Sequence, residues 1–346
     1  MKKSLITLAV GAAMAAAGTA NALVVNPDGV GGGNIQITGI DWLPASLLVT
    51  PTGELGNVSD ADEGDVLQAY AQASIATFTL NGSGVGSELS GTEEWTFVTG
   101  FQETVLSLSN PPTPDPIGNN AFFINSDGGD NYFEIYYSSA AADESGALTG
   151  DNFAAGQLIL SGSVLAYDIT DGTGASTFSV TGADGIPQGN DIPLDGFNAD
   201  NYPAIDSITG TGGGKIKVEI TSFDDNFFVD LQEIIDETGQ NTIDFQFDTQ
   251  QNLNFTQTDP NSCMYSPGGL LIAAGNGYGS CDPIGTPTGS LGAANGIPGN
   301  GPNELLQTDS ANVFPQSIPE PSSIALLGIG LLGMGAASRR RQRRKS

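Results

Sequence analysis

Apolar residues come in short runs rich in β-branched and aromatic side chains, each bounded by Gly, Asn, Asp or Pro. That is the pattern of strands rather than helices. It predicts strands over 34–40, 67–80, 94–99, 104–108, 121–125, 132–138, 157–169, 177–180, 215–223, 242–248 and 253–256. Lys215-Ile216-Lys217-Val218-Glu219-Ile220 alternates cleanly, so Ile216, Val218 and Ile220 point inward while both lysines and Glu219 face water. One helix is expected over 227–236, capped by Asp224, Asp225 or Asn226 and ended by Gly239. No long amphipathic helices alternate with the strands, which argues against a βαβ fold. Around ten short strands at this spacing predict an all-β fold, a single β-sandwich or jelly-roll-like domain. The one internal echo, Gly31–Ile37 against Gly212–Val218, is too little for a repeat architecture.

The two ends of the chain follow other patterns. Met1-Lys2-Lys3, an apolar stretch from Leu5 to Ala17 and then Thr19-Ala20-Asn21-Ala22 form a basic start, a short apolar core and a small-x-small ending. This reads as a secretory signal peptide over 1–22, with Ala20 and Ala22 in the peptidase pockets and the cut before Leu23. Near the other end an uncharged run from Pro321 to Ser338, 18 residues, approaches the minimum for a membrane-spanning helix. Arg339, Arg340, Arg341, Arg343, Arg344 and Lys345 follow it at once as a stop-transfer cluster held on the cytoplasmic side.

Pro319-Glu320-Pro321, a short Gly/Leu-rich apolar helix and a terminal Arg cluster together resemble the PEP-CTERM sorting signal, here over 318–346. The resemblance implies recognition by an exosortase, a membrane-embedded cysteine transpeptidase. It also implies export across the inner membrane of a Gram-negative bacterium that makes exopolysaccharide, by way of the Sec translocon and signal peptidase. The protein would be anchored transiently and then reach the cell surface or extracellular matrix. The two prolines cannot continue a helix, so the tripeptide stays extended at the membrane surface. Leu23-Val24-Val25-Asn26-Pro27-Asp28-Gly29, Asp41-Trp42-Leu43-Pro44 and Tyr136-Tyr137 are also similar to PEP-CTERM proteins associated with floc formation, which raises the expectation of a biofilm role.

Charge sharpens the picture of what lies between. Residues 23–317 hold two lysines, Lys215 and Lys217, against 38 acidic residues, a formal charge of −36. Such a surface repels nucleic acid and attracts divalent cations; adaptation to salty water is the alternative reading of the same charge. The hydrophobic fraction of 39% and its compact runs favour a folded domain over disorder. The acidic β domain is placed at 23–281. Pro, Gly, Asn, Ser and Thr dominate 282–317, which reads as a linker. Cys263 and Cys281 fall in the exported part, where a disulfide between them is expected to persist.

Candidate chemistry is sparse. The chain has no histidine, which removes Ser-His-Asp and Cys-His constellations and His-based metal sites. No arginine lies within 23–317, so bidentate anion clamps are missing too. No metal-binding residue set is assigned. Asp60-Ala61-Asp62-Glu63-Gly64-Asp65 imitates the opening of an EF-hand loop, but its twelfth position is Ala71 instead of the bidentate Glu. Asp127 with Asp130, and Asp224 with Asp225, offer oxygens for weak calcium binding by acidic loops. Paired carboxylates hydrolyse glycosides when about 5–9 Å apart, and Glu93-Glu94 beside Trp95 together with Glu134 are the candidates to inspect. The expectation is a non-enzymatic envelope or exopolysaccharide-matrix protein with no catalytic residues and no cofactor. The alternatives are a surface glycan hydrolase and a cation-binding structural stalk.

Overall fold

Three strands of 15 or 16 residues, Val66–Leu80, Glu94–Ser109 and Ile208–Phe223, organise the molecule, against an ordinary five or six. The computed structural model describes residues 22–315 except 32, 44, 56–60, 86–88, 90–92, 110–119, 127, 140–152, 155, 169–173, 184–207, 250–263, 267–269, 275–288 and 291–303. In chain order the strands are β1 (Leu23–Val25), β2 (Ile35–Ile37), β3 (Gly39–Trp42), β4 (Ala45–Pro51), β5 (Val66–Leu80) and β6 (Ser83–Val85). Next come β7 (Glu94–Ser109), β8 (Asn120–Ser126), β9 (Tyr132–Ser138), β10 (Gln157–Val164), β11 (Ala175–Ala183) and β12 (Ile208–Phe223). The helix α1 (Leu231–Thr238) precedes β13 (Thr242–Thr249), β14 (Met264–Ser266), β15 (Leu270–Ala274), β16 (Gly289–Ser290) and β17 (Glu304–Val313).

The sheet closes on itself. At the end of the molecule that carries α1, the ring runs β5–β7–β9–β10–β12–β13–β17–β3 and returns to β5, an eight-stranded barrel. Towards the other end the long strands change neighbours: β8 and β11 stand between β7 and β12, and β4 stands between β17 and β5. The expected β-sandwich is therefore a closed barrel with extra strands. Bulges between Leu158/Leu160, Ser161/Gly162 and Val105/Ser107 interrupt the ladders and bend the wall locally. Closure leaves fewer unpaired edges than a sandwich does.

The seam lies between strands far apart in sequence. β17 pairs with β13 on one side and with β3 and β4 on the other. Its residues fall inside 282–317, the stretch whose composition reads as linker. The seam is tight: a Cβ on Gly39 would lie 2.0 Å from the Asn312 carbonyl oxygen. Only a residue without a side chain lets β3 approach β17 this closely.

Alternation fills the interior. Leu67, Ala69, Ala71 and Ala73 on β5 face inward with Trp95, Phe97 and Phe101 on β7, Phe133 and Ile135 on β9, Ile216, Val218 and Ile220 on β12, and Phe245 on β13. The clean alternation at 215–220 is thus realised, with the lysines outside. Rings meet edge-on, Trp42 with Phe97 at 4.9 Å and Phe97 with Phe245 at 5.1 Å between centroids, a favoured aromatic geometry. Buried Trp42 donates its indole N–H to Asn312 Oδ1 at 2.8 Å, tying β3 to β17 from within. Replacing Trp42 with Phe removes that donor and opens a cavity. Chemical denaturation should show a loss of roughly 2–4 kcal/mol.

The end that carries α1 is plugged. Phe227 and Phe228 pack against Trp95, whose indole N–H donates to the Pro27 carbonyl at 2.8 Å. β1 bridges to the same plug through Val25 and Phe228. The helix starts four residues later than the sequence pattern suggests. Asp224 is used in a local turn, its Oδ1 accepting from the Asn226 backbone N–H at 2.9 Å. Asp230 flanks the helix without capping it, because its carboxylate accepts from the Val24 N–H at 2.7 Å. Gly239 ends the helix in the left-handed conformation, as expected.

Candidate functional site

Two groups of buried polar side chains distinguish the barrel wall. The first lies on the outer face of β5, β7 and β9, where Gln68, Tyr70, Gln72, Ser74, Thr96, Tyr132, Glu134 and Tyr136 are buried although they point away from the core. The β14 backbone lies close to β5 and β7. Tyr70 donates its hydroxyl to Asp130 Oδ2 at 2.6 Å, and Tyr136 donates to Glu134. Burial, with the Asp130 carboxylate beside it, holds the Tyr70 phenol well above its usual range. Burial likewise raises Tyr132. The Tyr70 phenol therefore stays protonated and donates, with the Asp130 carboxylate as its fixed acceptor.

The second group is inside. Glu103 faces inward on β7 between Phe101 and Val105, and it accepts a hydrogen bond from the Ser176 hydroxyl at 2.5 Å. Burial pushes its carboxyl up to about 7, although the Ser176 bond opposes the shift. Asn125 lies directly opposite Glu103 in the ladder, and its Oδ1 has no partner among the described residues. Sequence reading missed this acid. Its signal was the inward alternation Trp95, Phe97, Phe101, Val105, which places position 103 in the core.

The carboxylates singled out for inspection as a catalytic pair lie apart along the ladder. In the β7–β9 register Glu94 stands opposite Ser138 and Glu134 opposite Val98. Four residues of strand separate them, about 13 Å between Cα atoms, and Tyr136, bonded to Glu134, lies between. Glu93 accepts from the Tyr137 hydroxyl at 3.2 Å.

The acidic loops are occupied locally as well. Asp65 Oδ2 accepts from the Asp62 backbone N–H at 2.8 Å, closing a turn, and Asp224 Oδ2 accepts from Gln157 at 2.8 Å. Among the described residues no three His, Cys, Asp or Glu side chains are grouped to hold a metal ion. Asp60 and Asp127 lie outside the described residues, as do Cys263 and Cys281.

The remaining feature is the place where the chain leaves the barrel. Phe314 is buried, its N–H donates to the Thr38 carbonyl at 3.0 Å, and its ring lies 5.6 Å from that of Phe228. Pro315 is buried after it. Beside them an open cleft of about 540 Å³ is lined by Lys217, Gln240, Asn241, Thr242, Asp244 and Val313, with Gly239 at one side. Lys215 pairs with Asp244 at 2.7 Å on the same face.

A family model described as the PEP-CTERM protein-sorting motif matches residues 317–341, two residues beyond this exit. The chain carries a PEP-CTERM sorting signal. That signal indicates an exported protein, transiently anchored in a membrane and then processed by an exosortase, which is consistent with a location at the cell surface. Pro319, Glu320, Pro321, the Arg cluster and Ala20 all lie outside the described residues. Ala22 and Leu23 are described: Leu23 opens β1 and is fully buried. Among the described residues no helix is long and apolar enough to cross a membrane; the PEP-CTERM tail lies beyond them. No curated protein matches the chain. No solved structure matches it either.

Proposed function

We propose that this is a non-enzymatic protein of the cell envelope or exopolysaccharide matrix, delivered by the exosortase pathway. In this reading the signal peptide is removed before Leu23, the 18-residue run from Pro321 to Ser338 spans the inner membrane, and the exosortase acts at Pro319–Pro321. The observation that carries the reading is the sorting signal placed directly after a barrel whose segment bears a charge of −36. A surface of that charge associates with polysaccharide through bridging divalent cations rather than by direct ion pairing with anionic sugars. Burial of the Glu134 carboxylate and its bond to the Tyr136 hydroxyl support a matrix role over the glycan-hydrolase alternative. Burial of Leu23 supports a cut made on the unfolded chain during export, since no peptidase reaches a β1 already packed against β2 and the plug.

The sorting step is tested by Glu320→Ala together with Pro321→Ala in the producing cell. Mass spectrometry should find the mature protein still bearing its Arg-rich tail, whereas the unsubstituted chain has lost it. Deleting the gene should reduce aggregation or biofilm; an unchanged phenotype removes the matrix role.

A further inference from the structure

Between buried Pro315 and the sorting tripeptide lie only Gln316, Ser317 and Ile318. Fully extended, the four residue steps from Pro315 to Pro319 span at most about 14 Å. A peptidase reads substrate as an extended strand, several residues to each side of the bond it cuts, at about 3.3 Å per residue. The barrel cannot release slack, because Phe314 is pinned by the Thr38 bond and the Phe228 ring, and β17 is paired along both edges. An enzyme seated on Pro319–Pro321 therefore meets the barrel wall at the exit point.

What it meets there is unlike the rest of the domain. The only two lysines of residues 23–317 lie on this face, Lys217 in the cleft and Lys215 paired with Asp244. With Asp244 and Glu219 they make a locally neutral surface in a segment of charge −36. Val313 is 49% exposed at its edge, a large apolar side chain facing solvent beside Gln240 and Asn241. Depletion of net charge around an exposed apolar residue is the composition of interface centres rather than rims.

We infer that the cleft formed by Lys217, Gln240, Asn241, Thr242, Asp244 and Val313 is a docking face for the exported side of the exosortase, so that the enzyme reads the folded barrel as well as the tripeptide. The inference rests on the exosortase reading above and deepens it. Recognition of the barrel would confine processing to chains whose β17 has closed the fold.

The test follows loss of a C-terminal epitope by pulse-chase in the producing cell, using the full chain. Gln240→Trp and Val313→Arg alter exposed side chains, and unchanged melting temperatures confirm that the barrel is intact. Each variant should slow epitope loss about tenfold, equivalent to about 1.4 kcal/mol of contact. Inserting twelve Gly/Ser residues between Gln316 and Ser317 lets the enzyme reach the tripeptide without touching the cleft, and the variants should then differ little from their long-necked parent. Processing of both variants at the unsubstituted rate with the native neck overturns the inference and leaves the exosortase reading standing. No epitope loss from the unsubstituted chain overturns that reading instead. A photoreactive residue at position 240 should cross-link to the exosortase; cross-linking to lipid alone makes the face a membrane contact and also overturns the inference.

Discussion

Replacing Glu103 with Gln should stabilise the barrel above neutral pH and do little in acid. A buried acid whose folded pKa is raised keeps its full stability below its unfolded value, about 4.5, and loses it as pH rises through the folded value of about 7. Above pH 7 the folded state must carry a charge inside the barrel wall. The difference between 4.5 and 7 corresponds to about 3 kcal/mol. Gln keeps an oxygen for the Ser176 hydroxyl and adds an amide N–H for Asn125 Oδ1, which has no partner among the described residues and stands directly opposite. Thermal melts of Glu103→Gln and the unsubstituted protein should coincide near pH 4 and separate by roughly 6–10 °C at pH 8. A constant difference across that range would mean that folding leaves the Glu103 carboxyl unshifted.

Truncation has the opposite sign and a larger effect. A chain ending at residue 281, where composition places the end of the domain, lacks β17. The barrel then loses both ladders that β17 makes, the Asn312 partner of buried Trp42, and the Phe314 side of the plug. Together these approach the entire stability of an ordinary domain, about 5–15 kcal/mol. Residues 23–281 should therefore show no cooperative melting transition by near-ultraviolet circular dichroism, while 23–317 melts sharply. A sharp transition in the shorter chain would show that the seam is dispensable.

That contrast marks where the sequence was readable. Local alternation found β9 at its true bounds, most of β5, β7 and β12, and the inward set Ile216, Val218 and Ile220, because burial on one face imposes a period of two wherever it occurs. It did not separate a sandwich from a barrel, since both bury one face of each strand. Closure depends on bulges and on the pairing of distant strands, neither of which leaves a periodic trace. β17, Glu304-Leu305-Leu306-Gln307-Thr308-Asp309-Ser310-Ala311-Asn312-Val313, carries so many small polar residues that its composition is that of a loop. Ser310 and Asn312 are buried by the fold alone, standing opposite Phe247 and Phe245 of β13, with Ile40 of β3 on the other side of Asn312.

The candidate site divides in the same way. The sorting signal was legible because order and spacing along the chain are its whole content. Proximity in space was not: Glu94 and Glu134 looked like neighbours in composition and are four ladder positions apart, whereas Glu103 and Ser176 are 73 residues apart and share a hydrogen bond.

The seam also sets a schedule. Trp42 and its partner Asn312 are 270 residues apart, and the ring cannot shut until the last strand has been delivered. For a chain exported from its N-terminus, β17 emerges only a few residues ahead of the sorting signal. Most of the wall must therefore wait, open-edged, outside the membrane through nearly the whole of translocation. Contacts this distant form slowly. On the export route proposed above, final closure coincides with arrival of the tail at the membrane, so the molecule completes its fold while tethered there.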